Sequence, residues 1–390
     1  MSQQPLSNTS SSWTPSSWRS KPVLQDVRYP DASHLSSVLT RLRSLPGLVT
    51  SKSIDELSTR LEDVANGKAF LLQAGDCAEL FQDCTPEKIQ SKLRLVLMMS
   101  LVIIWGARVP VVRVGRIAGQ YGKPRSKDRE TVLLDGTPTE VLSFRGDNVN
   151  AFDVRNRTPD PDRLLQAYFH STATINHIRG LLDGGFADLH APLSFSFDHV
   201  RDEKLQQSYQ EIADSITDAL DFMKTVGADP ASAEGGGPGP STGTLNRVDY
   251  FTSHEGLMLE YEEALTRSQG VDQDQHYNLS THMLWLGDRT RALDGAHIEY
   301  FRGIRNPIGI KVGPSMAPDE LVRLLDIVDP DCVKGRVTLI GRFGAGKVSR
   351  QAQRKTQHHT DTATLMSMPI PDIHLSTTTN PGSPVDPTRL

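Results

Sequence analysis

Arg336-Val337-Thr338-Leu339-Ile340-Gly341-Arg342-Phe343-Gly344-Ala345-Gly346-Lys347-Val348 is the stretch that decides how this chain is read. Ahead of it, apolar strand-like runs alternate with helical patterns, and each run ends in polar or charged residues. Behind it the periodicity stops. Gly341, four residues, Gly346 and Lys347 nearly spell the phosphate loop G-x-x-x-x-G-K-[ST]. Position 348 is Val348, which offers no hydroxyl to magnesium, and Ser349 comes one residue late. No helical pattern follows to aim an N-terminus at a phosphate. The stretch therefore reads as a buried strand and a glycine-rich turn, with a nucleotide loop as the competitor.

Working backwards, five more units share this form. Ile308-Gly309-Ile310 leads to Lys311-Val312-Gly313-Pro314, and Met283-Leu284-Trp285-Leu286 leads to Gly287-Asp288-Arg289-Thr290-Arg291. Val248-Asp249-Tyr250-Phe251 leads to Thr252-Ser253-His254-Glu255, with a helix expected from Leu257 to Arg267. Pro110 to Val114 leads into Gly115-Arg116-Ile117-Ala118-Gly119-Gln120-Tyr121, and Ala69 to Gln73 leads into Gly75-Asp76-Cys77-Ala78-Glu79. Thr85, Pro86 and Glu87 are the cap, first position and first turn of a helix reaching about Trp105. Polar loop is expected to Pro161, then helices near 162–183 and 204–226. Repeated strand–helix units predict a parallel sheet covered on its faces. A (β/α)8 barrel would place its chemistry at the C-terminal strand ends. A doubly wound sheet competes, but it favours phosphate-binding glycines after the first strand, and Gly75-Asp76-Cys77 is not that fingerprint.

Composition narrows the function. The 390 residues are 37% hydrophobic, with 42 basic and 47 acidic side chains and a net charge of −5; mean hydropathy is −0.37. Near balance gives no general case for nucleic acid or a membrane as partner. Three cysteines, Cys77, Cys84 and Cys332, make no disulfide framework and fit a reducing compartment. The run Leu95 to Trp105 is too short to span a bilayer. No leader pattern is evident, so a cytoplasmic location is expected. Residues 1–65 read as an N-terminal extension, with a mobile Met1–Ser20 carrying Trp13 and Trp18 as docking anchors and two short helices between His34 and Val64. Residues 66–348 form the strand–helix body, with a flexible Gly/Pro-rich insertion at 228–244, and 349–390 a low-complexity tail.

In a barrel, Arg116, Lys123, Arg125, Arg289, Lys311 and Arg342 would converge on one face. So many cations call for an anionic ligand, phosphate or carboxylate, to which Arg binds bidentately and Lys as a point charge. Taken singly, each is better read as a solvated surface charge. Cys77 can be a metal-ligating thiolate, a nucleophile or a buried small apolar residue, the last being the default. Lys311 can form a Schiff base or bind phosphate. His254-Glu255 can ligate metal or move protons, or else cap and orient.

Several of these strings, together with Trp13-Thr14-Pro15-Ser16-Ser17-Trp18-Arg19, Lys123-Pro124-Arg125-Ser126 and Leu293-Asp294-Gly295-Ala296-His297, resemble the class II (plant-type) 3-deoxy-D-arabino-heptulosonate 7-phosphate (DAHP) synthases, from Trp13 to Val348. The resemblance implies a (β/α)8 TIM-type barrel with an N-terminal helical extension. It implies condensation of phosphoenolpyruvate with erythrose 4-phosphate, which opens the shikimate route to chorismate and the aromatic amino acids. It also implies a divalent metal, manganese or alternatively cobalt, with Cys77 as a ligand, and a homo-oligomer. On that pattern Arg116, Arg289, Lys311 and Arg342 bind phosphoenolpyruvate with Asp288 and Glu255 beside them; Lys311, Arg116 and Asp288 are the catalytic candidates. Lys123, Arg125 and Ser126 sit where the aldose phosphate binds.

The sequence departs from the family at Asp288, where Glu is usual, at Ala74 for Gly and at Gly341 for Thr. The family also continues with two more strand–helix units carrying His, Glu and Asp ligands. The tail offers His358, His359, Asp361, Asp372 and His374, none of which aligns. The expectation is a barrel lacking its last two units and a chain with little or no synthase activity. The alternative is a non-catalytic relative that binds a phospholigand or a partner.

Overall fold

In the computed structural model, residues 13–186, 201–225, 248–269 and 275–343 are described; the 228–244 insertion, Gly344 to Val348 and the 349–390 tail lie outside them. The fold is α/β. Its centre is a six-stranded parallel sheet of β1 (Phe70–Gly75), β2 (Val111–Arg116), β5 (Phe251–Glu255), β8 (Met283–Leu286), β9 (Ile308–Val312) and β10 (Val337–Gly341), in that spatial order. The order never reverses. A doubly wound sheet must reverse at a switch point, so the winding is that of a barrel, here a partial one. Among the described residues β1 and β10 are its two edges.

Parallel strands need both faces covered, and two cores do this. On one face, Leu71, Val112, Val114, Phe251 and Met283 pack with Leu57, Leu61 and Val64 of α2 (Ser51–Ala65). On the other, Leu284, Leu286, Ile308, Ile310, Val312 and Val337 meet α7 (Ala296–Phe301) and α8 (Pro318–Val328). Helix α3 (Pro86–Ala107) covers the β1–β2 end of that second face through Val96 on Leu72 and Val111. It starts as expected, with Thr85 Oγ1 accepting from the Lys88 amide and Pro86 in the first turn. By length and composition alone α3 is apolar enough to cross a membrane, which the shorter run Leu95–Trp105 did not suggest. Its neighbours here are β1, β2, α4 (Asp162–Asp183) and α5 (Glu203–Thr225).

The N-terminal extension is α1 (Ala32–Ser44) and α2. Asp31 caps α1 by accepting from the Ser33 and His34 amides, and Thr50 forms a capping box with Ser53 on α2. The segment before them differs from expectation. Trp18 is buried, and its Nε1 donates to Glu263 Oε2 (2.9 Å). Trp13 Nε1 donates to Glu299 O (2.8 Å), and its indole lies where a side chain on Gly303 would be, an added Cβ falling 2.0 Å from it. Residues 13–20 are thus anchored to α7 rather than mobile, because two large rings found apolar cover.

Three local readings are also corrected. The third strand of the central sheet, β5, is Phe251–Glu255, not Val248–Phe251; Thr252, Ser253 and His254 look polar but are buried and hydrogen-bonded within the protein. The helix expected to reach Arg267 stops as α6 (Leu259–Ala264), and β6 (Thr266–Gln269) then pairs with β7 (Gln275–Asn278). The stretch before Pro161 holds a hairpin, β3 (Arg129–Leu134) with β4 (Thr137–Leu142), turning at Asp135-Gly136, both at positive φ.

His282 ties β5 to β8: its Nδ1 accepts from the Thr252 amide (3.0 Å). Burial, assisted by the charge of Arg179, pushes its pKa from 6.5 down to about 3. The unfolded chain therefore binds the extra proton between those values, so this stability is complete above about pH 6.5 and falls as pH drops towards 3. Urea unfolding at about pH 7.5 and 5.5 should show wild type losing about 1.4 kcal/mol more than His282→Asn, which keeps an acceptor for Thr252 but cannot titrate. Equal losses in the two proteins would show that His282 does not carry this dependence.

Candidate active site

Alternation along each strand places Arg116, Glu255, Trp285 and Lys311 on the α2-facing side of the sheet, at or near the C-terminal strand ends. They meet there. The Arg116 guanidinium lies 4.7 Å from the Trp285 ring centre and Lys311 Nζ lies 5.4 Å from it. Lys311 Nζ also donates to Glu255 Oε2 at 3.0 Å. One carboxylate and one indole ring thus hold two cations. Three polar atoms around them are buried without partners: Arg116 Nε, Glu255 Oε1 and Trp285 Nε1. Buried polar groups are nearly always paired, so this cluster is shaped for a ligand.

The strand-end loops fix it. The loop after β2 folds round Glu79, whose carboxylate accepts from the amides of Ala118 (3.1 Å), Gly119 (3.0 Å) and Gln120 (2.8 Å). Ala118 (φ +62°) and Gly119 (φ +155°) adopt backbone conformations that turn consecutive amides inward. Burial pushes the Glu79 pKa up, and those three amides, with Lys92 behind them, pull it back. Gln120 carries the link onward: its Oε1 accepts from the Glu255 amide (2.9 Å), and its Nε2 donates to Gly122 O (3.1 Å). The ends of β1, β2 and β5 are locked together beneath the cluster.

The remaining expected residues lie outside this cluster, and only Arg289, Arg125 and Ser126 come together. Arg289 donates to Ser126 Oγ through Nη2 (2.8 Å) and Nε (3.2 Å). Arg125 is paired with Glu130, which also holds Arg157, and the Arg125 amide donates to Gln25 Oε1 (2.7 Å). A cleft of about 590 Å³ opens here, lined by Arg28, Arg125, Ser126, Arg145 and Arg157 among others. Lys123 is half-buried, its amide donating to Arg145 O. Arg342 is exposed after β10, its amide bonded to Val312 O. Asp288 accepts from Arg291 Nε (3.0 Å), and Arg291 is also held by Glu320; Asp288 makes no such bond to the Trp285 cluster.

Cys77 is exposed at the end of β1, not buried. A three-ligand metal group among the described residues lies elsewhere: His34, Asp160 and Asp162, with ligand atoms within 4.8 Å of one another where α1 meets the start of α4. Cys77 has no such set around it among the described residues, so its thiol fits a metal site only as one ligand.

Sequence reasoning missed Trp285, Gln120 and Glu79. Trp285 reads as one more apolar strand residue; its parity with Glu255, opposite it in register, was the available signal. Glu79→Ala would leave the three loop amides without acceptors, at roughly 1–3 kcal/mol each. Denaturant unfolding should show about 3 kcal/mol or more lost. A loss under about 1 kcal/mol would mean the loop is held by something else.

Comparison with known proteins gives the family. The model described as the class-II DAHP synthetase family matches residues 13–382, past Val348, where the resemblance read from the motifs ended. A phospho-2-dehydro-3-deoxyheptonate aldolase of Neurospora crassa is 49% identical over 362 residues, covering 90% of this chain and 72% of its own. One of Streptomyces coelicolor is 44% identical over 335 residues, covering 85% and 70%. The aldolase AroG of Mycolicibacterium smegmatis is 39% identical over 335 residues, covering 84% and 68%.

Proposed function

The chain belongs to the class-II DAHP synthetase family of enzymes, and on that premise we propose that it binds phosphoenolpyruvate over Trp285 and condenses it with erythrose 4-phosphate to give DAHP and phosphate. The observation carrying this is the cluster of Arg116, Lys311, Glu255 and Trp285, with its partnerless Arg116 Nε and Glu255 Oε1.

Arg116 and Lys311 supply fixed positive charge for a small dianion, and Arg289 and Arg342 stand on the neighbouring strand-end loops. Two cations so close repel, and a bound phosphate or carboxylate relieves that. In the reaction the enol carbon of phosphoenolpyruvate attacks the aldehyde, water adds to the resulting cationic carbon, and phosphate leaves. Glu255, with one oxygen on Lys311 and the other open, is placed to take a proton from that water, and Lys311 to give one to the oxygen of the attacked aldehyde. Lys311 is assigned to phosphate binding and proton donation rather than to a Schiff base, because its Nζ is committed to Glu255 Oε2. Asp288, bonded to Arg291, is assigned to the loop that carries Arg289. The aldose phosphate is assigned to Lys123, Arg125 and Ser126, the last two of which line the arginine-rich cleft, with Arg289 bonded to Ser126. A divalent metal, manganese or cobalt, with Cys77 among its ligands, would polarise an aldehyde as a Lewis acid.

Calorimetry with phosphoenolpyruvate should show binding that Arg116→Ala or Lys311→Met weakens at least tenfold and Arg342→Ala weakens measurably. An unchanged affinity in Arg116→Ala would remove the assignment of the cluster. A parallel assay of DAHP formation with added manganese separates the enzyme from the alternative: binding without product on protein of verified mass favours a non-catalytic phospholigand binder.

A further inference from the structure

Behind the cluster, on the helical side of β5, a second polar arrangement lacks a partner. His254 and Glu262 are both buried, with His254 Nε2 2.8 Å from Glu262 Oε1. The other Glu262 oxygen accepts from Asn278 Nδ2 (2.7 Å) and Ser280 Oγ (2.7 Å). A carboxylate only accepts, so it keeps the imidazole proton on Nε2. In the neutral ring that leaves His254 Nδ1 an acceptor, and it is buried with no hydrogen-bond partner. Asn148 Oδ1, also an acceptor, is buried and partnerless too. Both residues line one small cavity, with Gly119, Gly122, Tyr121 and Tyr261 in its wall. Its volume is about 10 Å³, the space one water needs. Gly119 keeps it open: a Cβ there would lie 2.4 Å from His254 Nδ1.

We infer that this cavity is a site for a single ordered water that donates one hydrogen to His254 Nδ1 and the other to Asn148 Oδ1. Water is the ligand that fits, because two acceptors require a donor of two hydrogens in a space too small for anything larger. The chain Glu262–His254–water–Asn148 then packs against Gly119, Tyr121 and Gly122 of the 118–122 loop while Glu79 holds that loop's amides. His254 is a positioning residue for the loop that carries Gln120 to Glu255. The water site does not depend on which anion the cluster takes.

A crystal structure of the full chain that resolves waters should show one within about 3.2 Å of both atoms; an empty cavity would overturn the site. A long-range proton–nitrogen spectrum at neutral pH should show His254 protonated at Nε2 alone, and protonation at both nitrogens would overturn it equally. Two variants divide the ring. His254→Asn keeps an acceptor near the Nδ1 position and loses the Glu262 bond, whereas His254→Gln keeps a donor to Glu262 and loses the acceptor. The water should persist in the Asn variant and vanish in the Gln variant. Hydrogen exchange of the Ala118 to Gln120 amides should rise at least tenfold in His254→Gln and stay within threefold in His254→Asn. The reverse pattern would show that the Glu262 pair alone positions the loop. Phosphoenolpyruvate is absent from these measurements, so their outcome and that of the binding assay are independent.

Discussion

A buried carboxylate accepting three consecutive backbone amides is the constraint on which the strand ends depend. Ala118 and Gly119 occupy backbone conformations that an L-residue seldom takes, and alone such a loop would relax. Glu79 over-determines it, since each converging amide would otherwise be buried without an acceptor. The arrangement is an anion nest filled by the protein's own side chain. The ionised form of Glu79 is also the form that makes it work, because a protonated carboxyl would give up acceptor capacity to an O–H. Burial and hydrogen bonding pull in opposite directions here, burial the more strongly, and the loop geometry is the means by which the second opposes the first.

From that anchor the order spreads to the ligand-binding face. Gln120 passes it from the loop to the Glu255 amide, and Glu255 passes it to Lys311. Both cations lie against the Trp285 ring, a contact worth about 0.5–2 kcal/mol to each. One carboxylate leaves the cluster positive. Preorganised charge of this kind costs no rearrangement when a ligand arrives, which is where electrostatic stabilisation gains most.

The six strands were legible because parallel strands buried on both sides read as short apolar runs, and five of the six lie where those runs fall. The same property hid the site. With both faces apolar, nothing in Met283-Leu284-Trp285-Leu286 distinguishes the residue facing α2 from those facing α7, so Trp285 was read as core. β5 was displaced for the opposite reason: its residues are polar, and only the partners His282, Gly115 and Glu262 make their burial tolerable. The hairpins β3–β4 and β6–β7 carry too few apolar residues for a period to show. Arg116 and Lys311 were found by their place at strand ends. Lys123 and Arg125 were placed with them by the same argument, yet Arg125 is turned to Glu130 at the arginine-lined cleft.

That division gives the N-terminal extension a part in the site. Ser126 receives two donors from Arg289, and so ties the loop after β8 to the wall of the cleft. The segment carrying Ser126 is held in turn by Gln25 at the Arg125 amide, and Arg145 donates to the carbonyls of Gln25 and Asp26. Residues just upstream are fixed by the buried Trp18, whose indole is bonded to Glu263 near the end of α6. A tryptophan of that size contributes about 4 kcal/mol on burial, more than the ordering of a short segment's few contacts would supply. The chain that precedes the first strand therefore acts as a strap: it is pinned beside α6 and α7, passes the cleft, and sets the position of the serine on which Arg289 rests. Whatever occupies the cleft must do so against a wall built partly from residues 23–28.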